Sequence, residues 1–174
     1  MKNLLINLLL AVTMLIATPL TSAEVIPIWN KTIEEGSIQD MQLMKGGDEF
    51  LLFTGFWDKG QLQVRNTTDG ELIRSQPINA DHNGKIIITP DSNRFIVLNG
   101  LQCELRNLDD TFSIVNSFNL DVIYTNIAID PIIPYVYVTG VKMLCYNYET
   151  GELITEFKDY ITDVDTRIAV SDDG

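Results

Sequence analysis

The feature that most constrains what this chain can fold into is an internal repeat with a step near 41 residues. The segments Leu62-Gln63-Val64-Arg65-Asn66, Cys103-Glu104-Leu105-Arg106-Asn107 and Leu144-Cys145-Tyr146-Asn147-Tyr148 each begin 41 residues after the one before, and two of them share Arg-Asn. A turn follows each in similar register, placing Gly70, Asp110 and Gly151 at steps of 40 and 41. Gly and Asp both tolerate the positive φ of tight hairpins, so these three residues are expected at equivalent points of their turns. A preceding segment also repeats and each copy ends on glycine: Leu51 to Gly55, Ile96 to Gly100 and Val136 to Gly140. Every unit opens with a short apolar run and a turn, as in Ile86-Ile87-Ile88-Thr89-Pro90-Asp91, Ile127-Ala128-Ile129-Asp130-Pro131 and Ile168-Ala169-Val170-Ser171-Asp172-Asp173-Gly174. The first unit's version, Met41 to Asp48, lies 44 residues before the second. The longer turn Phe56-Trp57-Asp58-Lys59-Gly60 accounts for the extra length.

Each unit therefore reads as four short strands separated by Pro, Asp and Gly turns, rich in β-branched and aromatic residues, with no helical period after the N-terminal run. Runs such as Ile86 to Ile88 suit strands covered on both faces, as in sheets sandwiched between neighbours. The fold class is all-β: β-propeller blades of four antiparallel strands, with blades at about 38–79, 83–120 and 124–160 and the first strand of a fourth in 164–174. Closed propellers typically need roughly four to eight blades, so the ring is expected to be incomplete and the chain to be the opening part of a longer polypeptide.

Residues 1–23 read as an export signal: Lys2, an apolar run from Leu4 to Ile16, and the small residues Thr21, Ser22 and Ala23 for cleavage. The competing reading is a membrane anchor, since Leu4 to Leu20 approaches spanning length, although Pro19 suits processing better. Residues 24–37 are either a lead-in or an outer strand that closes the ring from the far end. Removing the signal takes away Lys2 and leaves 11 basic against 24 acidic residues, a charge of −13. Nucleic-acid binding needs clustered Lys and Arg to displace phosphate counterions, and this balance excludes it as an expectation. No later stretch is long and apolar enough to span a bilayer, and the expected location is secreted, periplasmic or at the cell surface.

With these residues in view, the units resemble the YVTN and WD40-like propellers of exported bacterial proteins. Val136-Tyr137-Val138-Thr139-Gly140 resembles the YVTN core, and Thr89-Pro90-Asp91 and Ser171-Asp172-Asp173-Gly174 resemble that family's Ser-Pro-Asp-Gly turn. Tyr148-Glu149-Thr150-Gly151-Glu152 resembles its Asp-x-x-Thr-Gly-Glu outer turn. The resemblance spans residues 38–174 and implies architecture rather than activity. It departs from true WD40 repeats, for no Trp-Asp pair ends the third strands and His82 is the sole histidine.

No catalytic, cofactor-binding or metal-binding residue is expected. His82, beside Asp81, has no G-x-S-x-G or comparable nucleophile to serve. The acidic clusters Asp109-Asp110, Asp163 to Asp165 and Asp172-Asp173 match no cation-binding loop spacing and are read as turn chemistry. Phe56 and Trp57, in the long turn of the first unit, are the candidate recognition aromatics, with inter-blade packing the alternative. Cys103 and Cys145 are one residue out of register, which would send their side chains from opposite faces of equivalent strands and let them face each other across a blade interface. Sheets stack about 10 Å apart, too far for a bridge, so two free thiols are expected. The function expected is a non-catalytic exported module whose loops bind a protein, ligand or cell-envelope partner. The alternative is a propeller enzyme of quinoprotein-like or lactonase-like type, with its site in blades beyond residue 174.

Overall fold

The computed structural model describes residues 37–56, 59–79, 84–121, 124–157, 168–171 and 173, with the backbone alone at 56, 124 and 125. Three four-stranded antiparallel sheets account for nearly all of them, and no helix occurs among the described residues. The first holds β1 (Ser37–Leu43), β2 (Glu49–Phe56), β3 (Lys59–Asn66) and β4 (Leu72–Ile78). The second holds β5 (Lys85–Ile88), β6 (Arg94–Asn99), β7 (Gln102–Asn107) and β8 (Ile114–Asn119). The third holds β9 (Tyr124–Ile129), β10 (Tyr135–Gly140), β11 (Met143–Asn147) and β12 (Leu153–Phe157). Each is a meander whose spatial order follows the sequence.

The sheets meet along their first strands. β5 lies against β1 and β2 of the sheet before and against β9 of the sheet after, so the blades approach at one edge and spread toward β4, β8 and β12. Asp40 fastens the first junction, its Oδ2 accepting a hydrogen bond at 3.0 Å from the backbone N of Ile86 on the next blade. A register shift between Ile38 and Asp40 lets β1 turn that carboxylate outward from its own ladder.

The core lies between sheets rather than within one. Ile86, Phe95, Val97 and Phe112 of the second blade pack against Leu51, Phe53, Leu62 and Val64 of the first. From the opposite face of the same blade, Ile96, Leu98, Cys103 and Leu105 pack against Val136, Val138, Leu144 and Tyr146 of the third. Alternation along β6 sorts the run Phe95-Ile96-Val97-Leu98 one residue to each neighbour in turn, which is why it is apolar without a break. Each such side chain taken fully from water contributes about 1.5–3 kcal/mol.

Facing polar groups are satisfied by a device that two blades share. Arg106 donates from Nε and Nη2 to Glu104 Oε2 at 2.7 and 2.6 Å, and from Nη1 to the Phe112 carbonyl at 2.9 Å. In the first blade Arg65 donates from Nε to Gln63 Oε1 and from Nη1 to the Gly70 carbonyl, both at 2.8 Å. The repeated Arg of the sequence thus stitches its strand to the hairpin that follows.

The third blade departs from the spacing. Phe53 pairs with Leu62 and Leu98 with Cys103, so the first two units agree at a step of 41. Val97, which faces the preceding blade, pairs with Glu104, and Val138, which also faces the preceding blade, pairs with Leu144. Leu144 is therefore the counterpart of Glu104, not of Cys103, because the connection from Val138 to Leu144 holds one residue fewer than that from Val97 to Glu104. The slip corrects the cysteine geometry. Cys103 lies in the interface between blades two and three, whereas Cys145 sits opposite Tyr137 on the other face of its sheet and points away from that interface. Both thiols are free and buried, and burial pushes each thiol's pKa upward.

Of the expected fourth unit, Ile168, Ala169 and Val170 carry no strand. The expected signal at 1–23 and nearly all of the segment 24–37 lie outside the described residues, as do Asp81 and His82; Ser37 opens β1.

Three measurements check this packing. A Cβ at Gly84 would stand 1.9 Å from Cε1 of the fully buried Phe53, so Gly84→Ala is expected to lower unfolding free energy in urea by about 1–3 kcal/mol. Arg106→Met is expected to cost about 3 kcal/mol by leaving Glu104 buried and unpaired, while Glu104→Gln, which copies the first blade, costs about 1 kcal/mol or less. Under native conditions iodoacetamide is expected to label neither cysteine, and under unreduced denaturing conditions both; a mass two hydrogens lighter with no labelling would reveal a bridge instead.

Candidate recognition surface

A meander places alternate turns at opposite ends of its sheet, so every blade has one end formed by its first and third turns and another formed by its second. The first end is stitched together. In each blade the outer hairpin donates a backbone hydrogen bond to the inner one: Thr67 N to Asp48 O at 2.9 Å, Leu108 N to Asn93 O at 2.8 Å and Tyr148 N to Pro134 O at 2.9 Å.

Carboxylates and amides at this end are occupied by the turns themselves. Asp109 Oδ1 accepts from the backbone N and hydroxyl of Thr111 at 2.9 and 2.7 Å, Asp69 Oδ1 from Glu71 N at 2.9 Å, and Asn147 Oδ1 from Glu149 N and Thr150 N at 2.9 and 3.2 Å. Asp130 Oδ1 accepts from the backbone N of Ile132 and of Ile133 at 2.9 and 3.0 Å. In the Thr89-Pro90-Asp91 turn, Thr89 Oγ1 donates to Asp91 Oδ1 at 2.5 Å, and that bond, ahead of the Asn93 amide and the Arg94 charge, holds the Asp91 pKa below the ordinary aspartate range. Among the described residues no three His, Cys, Asp or Glu side chains converge as a metal site would require. Asp163 to Asp165 and Asp172 lie outside the described residues.

The outer hairpins correct one expectation and add a residue. Gly70 and Gly151 do take positive φ, at 71° and 76°, but in the second blade the left-handed residue is Phe112 at 47°, not Asp110. This hairpin is one residue longer, closing from Asn107 N to Ser113 O where the others close from Asn66 N to Glu71 O and Asn147 N to Glu152 O. A bulky side chain in that conformation costs about 1–3 kcal/mol. The compensation is visible: the Phe112 ring is buried, meets Phe95 edge-on at 5.6 Å, and carries the Arg74 guanidinium 5.5 Å from its centroid. The phenylalanine is the wedge that the first blade closes upon.

Hairpins also reach back to the preceding blade's outer strand. Arg74 on β4 approaches Asp110 at 3.9 Å and Asn116 on β8 donates to the Glu149 carbonyl at 2.9 Å, while Arg94, which opens β6, pairs with the Glu149 side chain at 2.9 Å. Arg74 and Asn116 are counterparts, since they pair with Val64 and Leu105.

The opposite end is the one that carries the expected recognition aromatics. Phe56 closes β2, its backbone paired with Lys59 across the turn; its side chain and Trp57 lie outside the described residues. The same turn in the next two blades bears Leu101 and Val141, which are 50% and 72% exposed. These turns form one apolar-tipped end of the blade row.

No family model matches the chain, and no curated protein sequence matches it. Solved structures do. The β-propeller domain of Cps50 (Swd1) from Myceliophteria thermophila superposes with a TM-score of 0.57 at 17% identity, over 69% of this chain and 42% of that one. A eukaryotic initiation factor superposes with a TM-score of 0.57 at 11% identity, over 73% of this chain and 34% of that one. This chain thus spans less than half the length of either, and at these identities the likeness is one of fold: the three sheets are blades of a β-propeller.

Proposed function

We propose that this chain belongs to an exported, non-catalytic β-propeller of the YVTN kind, whose turns bind a protein or cell-envelope partner. The observation that carries the reading is how the polar turn residues are used. Asp69, Asp91, Asp109, Asp130 and Asn147 hydrogen-bond their own turns, and the two thiols are buried, so the described polar groups serve to hold the loops in fixed shapes. Rigid, preshaped loops on a stacked scaffold bind with little ordering cost. The acidic balance keeps nucleic acid off this surface. Export rests on Lys2, the Leu4 to Ile16 run and the small residues ending at Ala23.

Two results test it. Expressed from Met1 in a secreting bacterial host, the protein recovered outside the cytoplasm is expected to begin at Glu24 by intact mass; full-length protein retained in membranes would end the export reading. Titration of the full-length protein with pyrroloquinoline quinone and calcium is expected to give no saturable absorbance change, and a saturable one would favour the quinoprotein-like enzyme instead.

A further inference from the structure

The three outermost strands differ in what they offer at the free edge. Each ends its sheet, so half of its backbone N–H and C=O groups point out of the sheet. In the second blade the bonds from Leu120 N to Leu101 O at 2.7 Å and from Asn107 N to Ser113 O at 2.9 Å fix which half. Alternate residues of β8 turn toward β7, which leaves Ser117 and Asn119, opposite Glu104 and Gln102, with their backbone groups directed outward. The ladder of the first blade places Ser75 and Pro77 at the same two positions of β4, opposite Gln63 and Gln61. In β12 Glu156, opposite Leu144, takes the first position, and the sequence carries Lys158 two residues on.

Proline and charge at an edge are what keep another strand from pairing with it. Pro77 has no N–H to give, and Glu156, held by Lys142 at 3.0 Å, sets an ion pair on the third edge. The second blade has neither: from Phe112 to Leu120 no residue is charged and none is proline. Its edge is also held still from one side. The Phe118 ring lies 5.3 Å from that of Tyr146, a Cβ at Gly151 would come within 3.0 Å of Phe118 Cβ, and Asn116 Nδ2 donates to the Glu149 carbonyl. The ladder shift between Leu105 and Arg106 bends β8 at its head, so the straight edge runs only from Asn116 to Leu120. Ser117 and Asn119 within it are exposed. What such an edge fits is set by its own groups: an extended backbone presenting C=O and N–H at the same spacing, without formal charge, since the edge has none to pair with it. A second copy is disfavoured by the formal charge of −12 that each chain brings.

We propose that the outer edge of β8 is a docking site for an extended, uncharged segment of a partner protein, which adds to the second blade as a fifth strand bonded at Ser117 and Asn119. This goes beyond the turn-borne binding proposed above and does not depend on it. The test uses the whole chain and a synthetic peptide of about eight alternating threonine and valine residues, capped at both ends. N-methylation at every second residue leaves the peptide one edge for pairing and keeps it from stacking on itself. Saturable one-to-one binding is expected, unchanged as salt rises from about 0.05 to about 0.5 M because no ion pair forms. The same peptide methylated at every residue, with no N–H to give, is expected not to bind. Asn119→Pro, which copies the first blade, is expected to weaken binding roughly tenfold by removing one outward donor. Ser117→Glu, which copies the third blade and leaves every ladder bond in place, is expected to weaken it as well. No saturable binding of the half-methylated peptide, equal binding of the fully methylated one, or equal affinity in the Ser117→Glu and Asn119→Pro variants would each overturn the proposal. So would sedimentation showing that the chain alone pairs with itself and that Asn119→Pro separates it, which would give the edge to a second copy. Quinone binding would end the turn-borne reading while leaving the result at this edge standing.

Discussion

A sheet with two apolar faces is insoluble as a separate object, and that constraint organises this molecule. The second blade sends Phe95 and Val97 one way and Ile96 and Leu98 the other. Neither face can be given to water without exposing several large side chains, each worth about 1.5–3 kcal/mol. Stability therefore belongs to the interfaces between blades, with nearest-neighbour dependence of the kind repeat proteins have. The polar connections lie where they protect those interfaces. Asp40 reaches Ile86 at the inner edge, and Arg74 and Asn116 on outer strands and Arg94 at the start of β6 reach the next blade's outer hairpin.

The Phe112 hairpin shows how such a scaffold absorbs an irregular repeat. One added residue displaces the position where the first and third blades use glycine, and the chain accepts a left-handed phenylalanine there. The strain is local, while the ring's burial against Phe95 and beneath Arg74 is shared by two blades. Arg106 adds to the fixation by holding the Phe112 carbonyl. Irregularity in the hairpin is thus converted into inter-blade contact.

Rigidity and exposure are divided between different parts of each blade. Inner and outer hairpins are joined by backbone hydrogen bonds, and Asp and Asn side chains brace the turns by folding back on them. The opposite turns, with Leu101 and Val141, and the heads of the outer strands, with Leu72, Ile114 and Leu153, hold much of the aliphatic surface that stacking leaves uncovered, and Ile132 and Ile133 add to it at the stitched end. Function in such a scaffold resides in what it displays, since the interior positions are consumed by blade packing.

The four-strand unit, the order of its turns and the apolar inner runs were all legible in the residues, because the period of alternation and the chemistry of Gly, Asp and Pro are local properties. Register was legible only in part. Matching Leu144 with Cys103 and Val136 with Ile96 kept the glycines aligned but put both on the wrong face, and the signal that would have corrected it was Asn147, which stands 40 residues after Asn107 and opens the same hairpin. A single-residue change in a turn reverses every side chain beyond it, and which face is then buried depends on the neighbouring sheet, not on the strand. Likewise the Arg-Asn repeat was visible, whereas its reason, an arginine clamping Glu104 or Gln63 and the hairpin carbonyl, needed the blades in place. The sequence by itself determined that this chain forms strands in repeated fours. The tertiary structure decided which residues become core, which become wedge and which are left at the rim, because burial is a property of two sheets together.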